Sequence, residues 1–170
     1  MKRLLIPILL VAFSLTANAQ NSAVDQLFTK YADKDGFTTV SISKAMFSLF
    51  ASENESKDEF KSAIKGLESI RILSPDETMP AGNLNFYKEI SKNLPITQYE
   101  ELMSVKEKDQ VFKMLIRKKG NLITEFLMIG GGKDNVLICI TGNIDLKSIS
   151  KLSKAMNIEG MENIEKVGKK

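Results

Sequence analysis

Few residues in this sequence could do chemistry, and most lie in four short stretches. "DKDG" (Asp33–Gly36) resembles the middle of a calcium-binding loop. A loop of the EF-hand type needs oxygen ligands at positions 1, 3, 5 and 12 around a glycine at 6. With Gly36 at position 6, Asp35 and Asp33 fall at 5 and 3, but Tyr31 occupies position 1 and Ile42 position 12. Neither supplies a carboxylate, and the residues after Gly36 are β-branched rather than helical in pattern. The stretch therefore reads as a turn in which Asp and Gly end a helix and start a strand.

"SISK" matches Ser-x-x-Lys at Ser41–Lys44 and again at Ser148–Lys151. Penicillin-recognising serine enzymes use that spacing to place a Ser beside a Lys base, together with Ser-Asp-Asn and Lys-Thr-Gly elements. Neither element occurs here, and serine as a helix cap accounts for both matches. Ser41 with Lys44 remains the pair a hydrolase would use. "IGGGKDN" (Ile129–Asn135) suggests a phosphate cradle, yet Leu127 stands where a P-loop needs its first glycine, and Asp134 follows the lysine. Strand-like runs on both sides make it a hairpin turn that uses φ > 0 at glycine.

The chain has no histidine. That removes Ser-His and Cys-His nucleophile pairs, His-based zinc sites and imidazole proton shuttles. Glu100 and Glu101 beside Glu125 could form a carboxylate pair in a folded sheet, but nothing in the linear sequence sets two of them around a cleft. Solvated strand faces are the default reading. Cys139 lies in the apolar run "NVLICITG" and reads as a small buried hydrophobe rather than a reactive thiol. The basic cluster Arg117, Lys118 and Lys119 falls at a hairpin tip. It is a candidate partner surface for an acidic protein or phospholipid head groups; exposed lysine also protects strand edges.

The first twenty residues have the three parts of a secretory signal peptide: Lys2 and Arg3, an apolar run from Leu4 to Leu15, and the small-x-small site Ala17-Asn18-Ala19. The run is shorter than the roughly 20 apolar residues that span a bilayer, and it contains Pro7, so no transmembrane anchor is expected. Cleavage after Ala19 removes residues 1–19 and leaves 20–170 as a single domain, periplasmic or secreted. Loss of Lys2 and Arg3 takes the formal charge down from +3 towards neutrality, which gives no electrostatic case for nucleic acid. With one cysteine, the chain cannot form an internal disulfide.

The elements that must position these residues follow from periodicity. Val24, Leu27, Phe28 and Tyr31 share one helix face, with Asn21 or Ser22 as N-cap. "GFTTVSIS" and "LESIRILS" read as strands. "SKAMFSLF", "KDEFKSAIKG" (with Gly66 as its C-terminal cap), "AGNLNFYKEISKNL" and "DLKSISKLSKAM" read as helices. From Tyr99, four strand-like runs joined by short turns predict antiparallel hairpins. Phe112, Met114 and Ile116 point one way and Lys113, Leu115 and Arg117 the other, so one face should be buried and one partly wet. The expected fold class is α+β, an antiparallel sheet of about five strands with helices packed on one face, and a loosely ordered tail from about 159.

"LFTKYADKDGFTTVSISKAMF", "YEELMSVKEKDQVFKMLIRKKG" and "ITEFLMIGGGKDNVLICITGNIDLKSISKLS" together resemble an exported bacterial family known as domain of unknown function 4252. The resemblance implies a small α+β envelope protein and carries over no activity, cofactor or catalytic residue. The resulting expectation is an exported, non-catalytic interaction module that presents a sheet face or edge to an unknown envelope protein. The alternatives are a small-molecule or lipid-binding protein and, behind it, a hydrolase using Ser41 and Lys44 or carboxylates.

Overall fold

The computed structural model describes residues 22–52, 64–77 and 84–146, together with Lys61, Met79 and Gly82. The leader with Ala17 and Ala19, most of "KDEFKSAIKG", all but the first two residues of the helix expected at "DLKSISKLSKAM" and the tail from 159 lie outside the described residues.

Helix α1 (Ala23–Tyr31) starts where a cap allows it to. The Ser22 hydroxyl accepts from the Asp25 N–H at 3.1 Å, and the Asp25 carboxylate accepts from the Ser22 N–H at 3.2 Å. This reciprocal box satisfies two N–H groups that a helix start otherwise leaves open. Val24, Leu27, Phe28 and Tyr31 are all buried, as their spacing predicts. The "DKDG" segment is the turn after α1, with Gly36 at φ 85° and its carbonyl accepting from Asp76 N–H at 2.9 Å. Strand β1 (Phe37–Ser43) then runs without a loop into α2 (Lys44–Ser52).

Strand β2 (Leu67–Pro75) is followed by a crossing segment that holds α3 (Phe86–Ile90) and a 3₁₀ turn at Ile96–Gln98. The long helix expected from "AGNLNFYKEISKNL" is thus a short one. Asn85 caps its start, its side chain accepting from Lys88 N–H at 2.8 Å, and Pro95 lies just beyond its last turn. Strands β3 (Glu100–Lys106), β4 (Gln110–Lys119), β5 (Leu122–Gly132) and β6 (Val136–Ile144) form the expected hairpins.

All six strands join one antiparallel sheet in the order β1-β2-β6-β5-β4-β3, one strand more than expected. The sixth arises because β6 folds back against β2, with Ile70 opposite Ile140, and so fuses the N-terminal β1–β2 pair to the C-terminal meander.

Helices are not confined to one face either. On one side α1 and α3 cover Leu73, Leu115, Leu127, Ile129, Leu137 and Cys139. On the other, Phe47 of α2 joins Ile70, Met114, Phe126, Met128, Ile138 and Ile140. The central strands must therefore be apolar in both directions, and "FLMI" in β5 and "LICI" in β6 are continuous apolar runs of that kind. The face expected to be partly wet is dry at its centre, where Leu115 is fully buried. An ion pair of Lys30 with Glu89 at 2.6 Å and a Tyr31 hydroxyl donating to the same carboxylate at 2.6 Å tie α1 to α3.

Candidate functional site

A row of polar side chains crosses the face beneath α1. Glu125 of β5 is 4% exposed; its carboxylate pairs with the Arg117 guanidinium directly opposite on β4 and accepts from the Tyr99 hydroxyl at 3.0 Å. The Cys139 thiol reaches the same carboxylate at 3.8 Å. Beyond Cys139, Arg71 of β2 pairs with Asp25 of α1 at 2.7 Å and lies over the Phe28 ring at 4.6 Å. The electrostatics are those of a closed set. Burial, then the Glu125 carboxylate, pushes the Cys139 thiol up to about 12, against a smaller downward pull from Arg71. The thiol stays protonated and is a poor nucleophile. Burial also pushes the Tyr99 phenol up, with Glu125 adding to it. Burial pulls the Asp25 carboxyl upward, but Ser22 and Arg71 together hold it below its ordinary value. Among the described residues, no buried side-chain nitrogen or oxygen lacks a partner. The row ties four strands and a helix together, and its charged members are paired with one another.

The residues singled out from the sequence are scattered over this frame. Arg117, Lys118 and Lys119 do reach the β4–β5 tip, yet two of the three are engaged: Arg117 pairs with Glu125 while staying part-exposed, and Lys118 pairs with Glu100 at 2.6 Å. Lys119 is exposed. Glu101 pairs with Lys113. The three carboxylates considered as an acid–base set thus each hold a different cation. Ser41 is exposed on β1 opposite Arg71, and Lys44 opens α2. The glycine run ends β5, and the hairpin beyond it is held by Asn135. The Asn135 amide accepts from Phe86 N–H at 2.9 Å and donates to the Gly132 carbonyl at 2.7 Å and the Leu84 carbonyl at 3.2 Å.

An open groove of about 970 Å³ lies at this end of the sheet, between the β3–β4 and β5–β6 turns and the segment after β2. Lys88, Lys106, Lys108 and Lys133 line it, but so do Asp76, Glu77, Glu107 and Asp109. The mixture selects neither anions nor cations.

The two sheet edges differ sharply. Edge strand β3 carries Glu100, Glu101 and Lys106, and its register with β4 breaks between Glu101 and Met103. Charge and bulge are the standard means of keeping an edge from pairing. Edge strand β1, "FTTVSIS", has no charge and no proline, and pairs with β2 without a bulge along its whole length. Val40 at its centre is 37% exposed, and Met46 and Leu49 on the adjoining α2 are 45% and 64% exposed. Sequence reasoning expected a sheet face or edge to be presented but did not single out this strand. The signal was present in its composition, because a seven-residue strand with four β-branched residues and no charge is unusual on an edge.

The geometry defines an α+β protein built on one six-stranded antiparallel sheet whose first edge strand, among the described residues, has no strand on its outer side. The chain belongs to the family described as domain of unknown function DUF4252, whose profile matches residues 31–152. That span runs from the end of α1 through all six strands. No curated protein and no solved structure matches the chain. Among the described residues no helix is long and apolar enough to cross a membrane.

Proposed function

We propose that the protein is an exported, non-catalytic interaction module of the bacterial envelope that binds a protein partner by strand addition at β1. The observation that carries this reading is the contrast between a charged, bulged β3 and a charge-free, regular β1. An open edge supplies a row of backbone donors and acceptors, and alternate side chains supply selectivity. The closed polar row beneath α1 and the protonated Cys139 favour a scaffold over a catalyst. Export rests on the three-part leader with Ala17 and Ala19.

The test is site-specific photo-crosslinking in cells from Thr39 and Ser41 on β1 and from Val105 on β3. Crosslinks to protein from β1 alone, lost when export is blocked and lost on Val40→Lys, are expected. Equal yields from both edges, or none from β1, would refute strand addition. The groove at the far end of the sheet favours a second reading, in which a small molecule or lipid is held there. Native mass spectrometry of exported protein would favour that reading if one species remained bound and Lys133→Glu released it.

A further inference from the structure

We infer that the strand added at β1 is β1 of a second copy of this chain, paired antiparallel about Val40. This rests on the strand-addition reading and names its partner.

The first argument is charge placement. The neutral strand is bracketed by Asp35 before it and Lys44 after it, both exposed. Among the described residues neither side chain has an ion-pair or hydrogen-bond partner. Antiparallel pairing with Val40 facing its own copy sets Phe37 opposite Ser43, Gly36 opposite Lys44 and Asp35 opposite Ala45. Lys44 of each copy then lies beside Asp35 of the other, twice over. Parallel pairing would bring like charges together at both ends. Like charges facing each other across a strand pair destabilise it, whereas opposite charges at diagonal positions, here just past the ends of β1, lie within reach of a long lysine side chain and favour it.

The second argument is the apolar surface. Ile42 and Ile72 pack against the core beneath α2, and Val40 lies opposite Ile72 in the β1–β2 pair. Strand alternation therefore puts Thr38, Val40 and Ile42 on the α2 face. A two-fold axis perpendicular to the sheet keeps that face continuous through the seam. The row Ile72–Val40 then runs on into Val40–Ile72 of the second copy. Both α2 helices, with their exposed Met46 and Leu49, then stand on the same side of the joined sheet.

The third argument is closure. A two-fold pairing uses each β1 once and leaves the two β3 strands as the outer edges of the joined sheet. Those edges carry Glu100, Glu101, Lys106 and the bulge, so the assembly stops at two instead of growing into a fibre.

Sedimentation equilibrium on the exported protein across the micromolar range tests this, together with three variants. The wild type is expected to be a monomer–dimer mixture. Asp35→Lys should weaken the dimer about tenfold by turning two attractive pairs repulsive, and the double reversal Asp35→Lys with Lys44→Asp should restore it. Val40→Cys should oxidise to a disulfide-linked dimer, because opposed strand positions put Cβ atoms about 4.5–5.5 Å apart, close enough to bridge with small adjustment. Cys139 is buried and does not compete. A dimer that ignores the charge reversals, and in which Val40→Cys does not crosslink, would use another surface and overturn the inference. A wild type that stays monomeric while crosslinks from Thr39 and Ser41 trap a different envelope protein would also overturn it, yet leave strand addition standing. A monomer with no crosslink from β1 would sink both.

Discussion

Glu125 is held on the face beneath α1 by a local irregularity. Strand alternation would put Ile123 and Glu125 on the same side, but Ile123 packs beneath α2 while Glu125 meets Arg117 and Tyr99 beneath α1. The break is at Thr124, where the registers with β4 and with β6 both shift, and its hydroxyl donates to the Arg117 carbonyl at 3.3 Å. A buried carboxylate that loses its cation is costly, whereas removing both charges together is often neutral. Arg117→Ala should therefore lower stability by about 3 kcal/mol, and pairing it with Glu125→Leu should recover most of that. Tyr99→Phe, which removes one donor, should cost about 1–2 kcal/mol. Urea unfolding measures all three. A loss below about 0.5 kcal/mol for Arg117→Ala would show that the pair is a surface contact of the ordinary weak kind.

The end of β5 shows how an element can depend on a single glycine. Gly132 has φ 115°, and a Cβ there would overlap the Asp109 carbonyl in the neighbouring turn. Gly120, at the β4–β5 tip, has φ 61° but faces open space. Both positions disfavour an L side chain, but only Gly132 adds a backbone collision. Gly132→Ala should cost roughly 2–4 kcal/mol and Gly120→Ala about 1 kcal/mol. Thermal unfolding of the two variants side by side checks the ratio; equal losses would mean that the Asp109 turn yields freely. Asn135 belongs to the same element, since its amide bonds the α3 start to the hairpin and keeps both against the groove.

At the scale of the whole molecule the sheet has a dry centre and two unequal margins. β5 and β6 are apolar on both faces and paired on both sides, while β1 and β3 have one neighbour each. Amide exchange should therefore be slowest in Phe126–Ile129 and Leu137–Ile140 and fastest in β1 and β3 when the protein is dilute. Raising the concentration should slow β1 and leave β3 unchanged. Fast exchange in β6 would contradict its place as the strand that joins the N-terminal β1–β2 pair to the rest.

Much of this architecture was local and therefore legible in the chain itself. The Ser22–Asp25 cap, the "DKDG" turn, the glycine hairpin and all six strand segments depend on residues close in sequence, whose dihedral preferences and spacing act directly. The absence of histidine likewise narrowed the chemistry before any folding. What only tertiary structure decided came from pairings between distant residues. The β2–β6 contact made the sheet six-stranded, α2 covered the second face, the Thr124 bulge turned Glu125 inward, and Arg117 of the candidate surface became its ion-pair partner. Most consequentially, it decided which strands were left at the edges. A strand's sequence shows that it can pair, but only the arrangement of its neighbours determines that β1, among the described residues, is left with an unpaired side.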